Sequence, residues 1–364
     1  MNLDASLKPV HAPPSAGERL LEIDALRGLA ILIVLANHFT TRFGEIYGFP
    51  TDPLYIIPQD NVGPHAMFVI SGFVTAATIG RARSARDYML TRLIRLAPVF
   101  WAGAILTFTI VRIFRLPGRE VGVGEAYLNL TMLPGLFGAR AIDGAYWTLQ
   151  IQLGFFILVA LTIAVGASRF LWLVVGTITT FHLIAKLGID SGNVSAAANS
   201  WYATSVSVSG HAAFFLIGIM IAIMKAGFRW WHLALVVLAS ADMFIPRDNQ
   251  ARLVIAITAA VMFIGANFRF RGLAGKLLVG PLALVGTFSY ALYVVNQNIG
   301  YVIMRAAYAH GLHTYTGIVL ATIASFALAI ALTYGVERPI SAFFRRKRKK
   351  RQALAASSAS GPAL

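Results

Sequence analysis

Asp24, Arg27 and His38 fall inside or at the edge of one apolar run, DALRGLAILIVLANHFT. A charged side chain at the centre of a bilayer costs at least roughly 2.5–3.5 kcal/mol on insertion scales, so ionisable residues in such runs are functional candidates by default. On an α-helix the eleven positions from Arg27 to His38 turn through about 1100°, only about 20° past three full turns, and rise about 16 Å. The two side chains therefore share a face. Asp24 sits one turn before Arg27, within ion-pair reach. The stripe carries a cation at one end and an imidazole toward the other, and imidazole is the side chain best suited to moving protons near neutral pH. The plainer alternatives are a snorkelling interfacial arginine and a histidine hydrogen-bonded to a neighbouring helix. The shared face favours chemistry.

The elements that must position this stripe are membrane helices. The 364 residues are 57% hydrophobic and 13% charged, with a mean hydropathy of +0.70. Ordinary globular domains are about 45–50% apolar and about 25% charged. A soluble enzyme, a disordered chain and a disulfide scaffold are excluded, the last also because cysteine is absent. Apolar spans fall at roughly 24–42, 64–80, 95–115, 146–166, 170–187, 209–225, 231–246, 251–267, 279–303 and 316–336. The expected fold is thus all-α, a polytopic integral membrane protein with about ten transmembrane helices in one bundle. Residues 1–18 read as a disordered cytoplasmic tail without a signal peptide, 19–340 as the membrane domain, and 341–364 as a basic cytoplasmic tail. The short apolar stretch 127–137 contains Pro134 and suits a re-entrant or interfacial piece.

Charge then orients the bundle. An even number of spans puts both termini on one side, and of the 31 Lys and Arg, 21 fall on the segments that share that side and 9 on the other. By the positive-inside rule both termini are cytoplasmic. The formal charge of +16 is then a record of topology rather than a sign of nucleic acid. The run Arg345 to Arg351 reads as a topology anchor or a contact for anionic lipid headgroups. Other polar residues are less telling. Ser71 lacks a nucleophile-elbow context, and Ser71-Gly72 suits close helix packing. His211 is an intramembrane candidate with no motif around it, and His182, His310 and His313 are too scattered to suggest a metal site.

The stretch EIDALRGLAILIVLANH resembles the opening helix of the acyltransferase family 3 membrane proteins, in which Arg or Lys is followed eleven residues later by His. The likeness continues in order through FVISGFV (Phe68 to Val74), RLIRLAP (Arg92 to Pro98), WTLQIQLGFF (Trp147 to Phe156), FSYALYVVNQ (Phe288 to Gln297) and ERP (Glu337 to Pro339). Departures from the family pattern are Gln152 where Glu is usual, Asn296 where His is usual, Met67 for a Phe, and His65 at a position often acidic. A proton relay built from positions 152 and 296 is absent here, leaving His38 alone or compensated by His65.

The resemblance implies a membrane O-acyltransferase that moves an acyl group from acyl-CoA, with acetyl-CoA the expected co-substrate, to a hydroxyl of an envelope glycan or glycosylated small molecule. A thioester is already activated, so the enzyme must mainly position and deprotonate the hydroxyl. His38 is the expected general base, with an acyl-histidine intermediate as a rival. Arg27, Arg92 and Arg95 are expected to bind CoA phosphates, Arg92 and Arg95 being spaced i,i+3. Equally, these arginines can be positive-inside residues. Trp147, Gln152 and Tyr290 are expected to line the substrate pocket, with Asp24 and Asn296 in support and no bound metal or cofactor. Expected partners are acyl-CoA, the hydroxyl acceptor and membrane lipids, in the cell inner membrane. The alternative is a non-enzymatic transporter or flippase of a glycan or lipid. A third reading is a weakened sensor or scaffold, suggested by Gln152 and Asn296.

Overall fold

The computed structural model describes residues 21–53, 62–190, 209–229 and 275–359, with isolated positions between 231 and 272. The tail 1–18, most of the predicted loop 188–208, most of the predicted span 231–246 and all of 251–267 lie outside the described residues. All elements assigned among the described residues are helical: α1 Leu21–Asn37, α2 Phe43–Tyr47, α3 Val62–Thr78, α4 Ala85–Phe114, α5 Val123–Asn129, α6 Trp147–Ala164, α7 Leu171–Asp190, α8 Ala212–Ala226, α9 Gly280–Thr287, α10 Ser289–Val295, α11 Gln297–Ala309, α12 Thr314–Leu332 and α13 Arg338–Ala359. In hydrocarbon every backbone group must be satisfied within its own segment, so long apolar runs become helices.

The span count differs from the expected ten. Among the described residues six helical stretches are long and apolar enough to cross a membrane: Leu21–Tyr47, Val62–Arg81, Ala85–Phe114, Gly144–Ala164, Ser168–Ala185 and Thr314–Arg348. A seventh is gained if Leu277–Thr287 and Ser289–Val295, bent by 57°, form one broken span. The predicted span 209–225 is the apolar helix α8, whose 15 residues reach about 22 Å against a hydrocarbon thickness of about 30 Å. The short stretch 127–137 is no span. It divides into the end of α5 and a 3-10 turn, Pro134–Phe137.

The chain forms two compact units. The first contains residues 1–49, 53–88 and 147–289. Its centre is α8, buried at every position from Ala212 to Ile221, as a helix that is apolar all round must be. Glycines let α8 and α3 touch backbone to backbone. A Cβ at Gly72 would overlap the Phe215 carbonyl, and one at Gly218 the Val69 carbonyl. Gly28 of α1 and Gly286 of α9 make a reciprocal contact, each against the other helix's backbone, at Leu282 and Asp24. Small residues at such crossings are the usual means of close helix approach in membranes.

The second unit contains residues 50–52, 89–146 and 290–364. Gly103 of α4 lies against Val294 and Val295, and the Tyr290 hydroxyl donates to the Leu96 carbonyl at 3.0 Å. On α12 the buried positions Gly317, Ala321, Ser325 and Ala329 form a stripe of small side chains.

Candidate functional site

In the first unit α1 carries the Arg27–His38 stripe. Arg27 Nη1 lies 3.6 Å from Asp24 Oδ1, both side chains being largely shielded, so the ion pair read from the spacing forms. The α-helix ends at Asn37, and His38 opens a π-helical turn, His38–Arg42. Asn37 itself keeps helical angles, φ −61° and ψ −47°, so the register from Arg27 runs unbroken to the imidazole. π-Turns are rare and recur at functional sites. No sequence cue announced this one.

Gln152 lies on α6 and donates from Nε2 to Ser71 Oγ on α3 at 2.7 Å. Gln152 thus ties two helices together, and Ser71, read as a packing residue, also accepts a hydrogen bond. Trp147 is the first residue of α6. Its ring packs edge-on to Phe68 at 6.4 Å and 5.3 Å from the ring of His211. His211 is the N-cap of α8 and lies 5.5 Å from His65. His65 stacks flat on Phe214 at 3.8 Å and 11°. Sequence reasoning noted His65 and His211 separately, and nothing in their spacing, 146 positions apart, could join them.

In the second unit Arg92 and Arg95 sit one turn apart on α4. Arg95 Nε reaches Glu337 Oε1 at 4.0 Å, while Arg338 lies 3.9 Å over the Tyr334 ring. Tyr290 is tied to α4 through Leu96. Asn296 is fully buried between α10 and α11, where its Nδ2 donates to the carbonyls of Leu292 at 2.9 Å and Tyr293 at 3.0 Å. It secures the helix break rather than presenting a free amide.

Sequence reasoning missed a polar network beside that break. Asp143 is buried, and its two oxygens accept from the backbone N–H groups of Ala145 and Asn298, each at 2.9 Å. Burial pushes its carboxyl up to about 6, against the opposing pull of those two donors and of Arg119. Tyr293 donates to the Ala145 carbonyl at 2.6 Å, and Asn298 Nδ2 to the Ile142 carbonyl at 2.8 Å. Nearby in sequence, Glu125 receives the Gly122 N–H at 2.8 Å and a two-pronged contact from Arg140 at 3.0 Å, which holds its carboxyl down at about 2. A shallow recess in this unit is lined by Phe108, Val111, Arg112, Arg119, Glu120, Val121 and Ile142. None of the residues predicted for the site lines it.

Compared with known proteins, residues 20–334 match a family described as an acyltransferase domain. No curated protein and no solved structure matches the chain.

Proposed function

The chain belongs to the acyltransferase-domain family and is an acyltransferase; from that premise we propose that it transfers an acyl group, acetyl foremost, from acyl-CoA to a hydroxyl of a carbohydrate or glycosylated acceptor at the cytoplasmic membrane. The observation that carries this reading is the α1 stripe: an Asp24-supported Arg27 and, eleven residues on, an imidazole placed at a π-turn. His38 acts as general base. It takes the acceptor's proton as the hydroxyl oxygen attacks the thioester carbon, and the thiol of CoA leaves with a proton returned to it. Arg27, Arg92 and Arg95 are the cations offered to the phosphates of CoA, because guanidinium pairs with phosphate in two-pronged fashion. The basic balance of the segments on the side of the termini supports a cytoplasmic location for both.

Purified protein in lipid nanodiscs, given labelled acetyl-CoA and a cell-envelope extract, should label an acceptor. His38→Ala should lower that transfer by at least about 100-fold, the lower range for a lost general base. Transfer undiminished in His38→Ala refutes the assignment of the base. Glycan or lipid translocation that proceeds without acyl-CoA and survives the substitution supports the transporter reading instead.

A further inference from the structure

Four aromatic rings and a fifth converge in the first unit, and two of the five are imidazoles. His65 lies flat on Phe214, which fixes the plane of its ring and aims its N–H edgeways. His211 faces it at 5.5 Å and 41°, with Phe68 edge-on at 5.5 Å and Trp147 at 5.3 Å. His65, His211 and Trp147 are partly buried rather than sealed, whereas Phe68 and Phe214 are buried. The cluster therefore has an apolar floor and three polar-edged rings at its margin.

Its helical setting decides what the imidazoles can do. Pairing of His65 with Phe214, Phe68 with Phe215 and Val69 with Gly218 shows that α3 and α8 run side by side in one direction. Contacts of Phe68 with Trp147 and Ser71 with Gln152 give α6 the same direction along α3. His65 is the fourth residue of α3, Trp147 the first of α6, and His211 the cap of α8. Apart from these two histidines, the only ionisable side chain on the three helices is Lys225, at the far end of α8. An imidazole carries a ring N–H in either protonation state, and the parallel helix starts add partial positive charge at the same end. Such a place favours negative charge on a bound oxygen.

We propose that His65 and His211 form the oxyanion-binding site of the acyl-transfer reaction. The inference rests on the acyl-transfer reading and adds to it a residue pair distinct from the base. As the acceptor oxygen forms its bond to the thioester carbon, the carbonyl π pair moves onto the carbonyl oxygen, and the two ring N–H groups donate to it. Collapse of that adduct re-forms the carbonyl and breaks the C–S bond. The thiolate leaves and takes the proton given up by the hydroxyl, yielding the ester and free CoA. Donors already aimed at the developing charge stabilise it without reorganisation.

The test compares His65→Phe, His65→Gln, His211→Phe and His211→Gln in nanodiscs, with labelled acetyl-CoA and the envelope extract. Phe keeps the ring packing and removes the donor, while Gln offers an amide N–H in its place. The Phe variants should lose about 100- to 1000-fold in kcat, the range for one lost oxyanion donor, with the KM for acetyl-CoA unchanged. Each Gln variant should recover at least about a tenth of the activity. Melting temperatures of all four should stay near that of the unaltered protein. Unchanged kcat in both Phe variants overturns the inference while leaving the acyl-transfer reading intact. So does equal loss in the Gln and Phe variants, which would mark the rings as proton acceptors. No transfer by the unaltered protein overturns the acyl-transfer reading and this inference with it.

Discussion

Asp143 is a carboxyl that folding buries before it ionises, and its sign of action differs from that of Glu125. The folded value near 6 stands above an unfolded value of ~3.9. Between those values the folded chain holds more protons than the unfolded one, so stability falls as pH rises through the window and levels off above it. Two pH units of displacement correspond to about 3 kcal/mol. Glu125 runs the other way: held at about 2 by Arg140, it supports the fold above its ordinary value and loses that support as the medium is acidified toward 2. From pH 7 to pH 5 Glu125 stays ionised, so of these two carboxyls only Asp143 responds. The melting temperature of the native chain should therefore gain on that of Asp143→Asn as the pH falls across that interval. A difference between the two melting temperatures that stays constant from pH 7 to 5 would contradict the burial argument. At this scale the sequence was legible where helix periodicity operates, as with Arg27, Asp24 and His38 on one run. It was silent where partners come from distant segments, as with Asp143 and Asn298 or His65 and His211, because no local spacing encodes such meetings.

At the scale of elements, glycine decides which helices can touch. Gly72 and Gly218 bring α3 and α8 into backbone contact, and a methyl on either would overlap a carbonyl that has no freedom to move aside. Overpacking of this kind costs typically about 1–3 kcal/mol. Gly72→Ala and Gly218→Ala should each lower the melting temperature in detergent, and they should also lower transfer, since α3 and α8 carry His65 and His211. Gly176 on α7 meets nothing within 4 Å. Gly176→Ala should be neutral or stabilising by up to about 1 kcal/mol, because alanine gains helix propensity there. Equal behaviour of the three variants in a thermal melt would remove the packing explanation. The sequence showed Ser71-Gly72 as a packing pair, and the long apolar runs as helices, for the same reason: both follow from composition within a few turns. The π-turn at His38 and the break at Asn296 were not legible. They depend on which carbonyls a neighbour or a side chain such as the Asn296 amide satisfies, and periodicity does not report that.

Over the whole molecule the question is which way the bundle faces, and the argument rests on where cations can go. The last apolar stretch passes through a π-helical turn, Thr333–Glu337, directly into α13. Arg345 to Arg351 occupy seven consecutive positions. At about 100° per residue they surround the helix on every side, so no apolar face remains there to lie against lipid. This segment must leave the hydrocarbon, and the anionic cytoplasmic leaflet is the surface that attracts it. Its charge adds to the excess of basic residues on the segments sharing a side with the termini, so replacing it should weaken the preference for orientation without abolishing the other cues. A fluorescent reporter fused after Leu364 should be bright, and a phosphatase active only outside the cytoplasm should be silent at the same place. Substituting the seven residues by glutamine should lower the bright fraction and raise the phosphatase signal. A phosphatase active in the unaltered fusion would invert the topology. The arginines offered to CoA would then stand on the side where no CoA is made, and the acyl donor proposed above would fall with it.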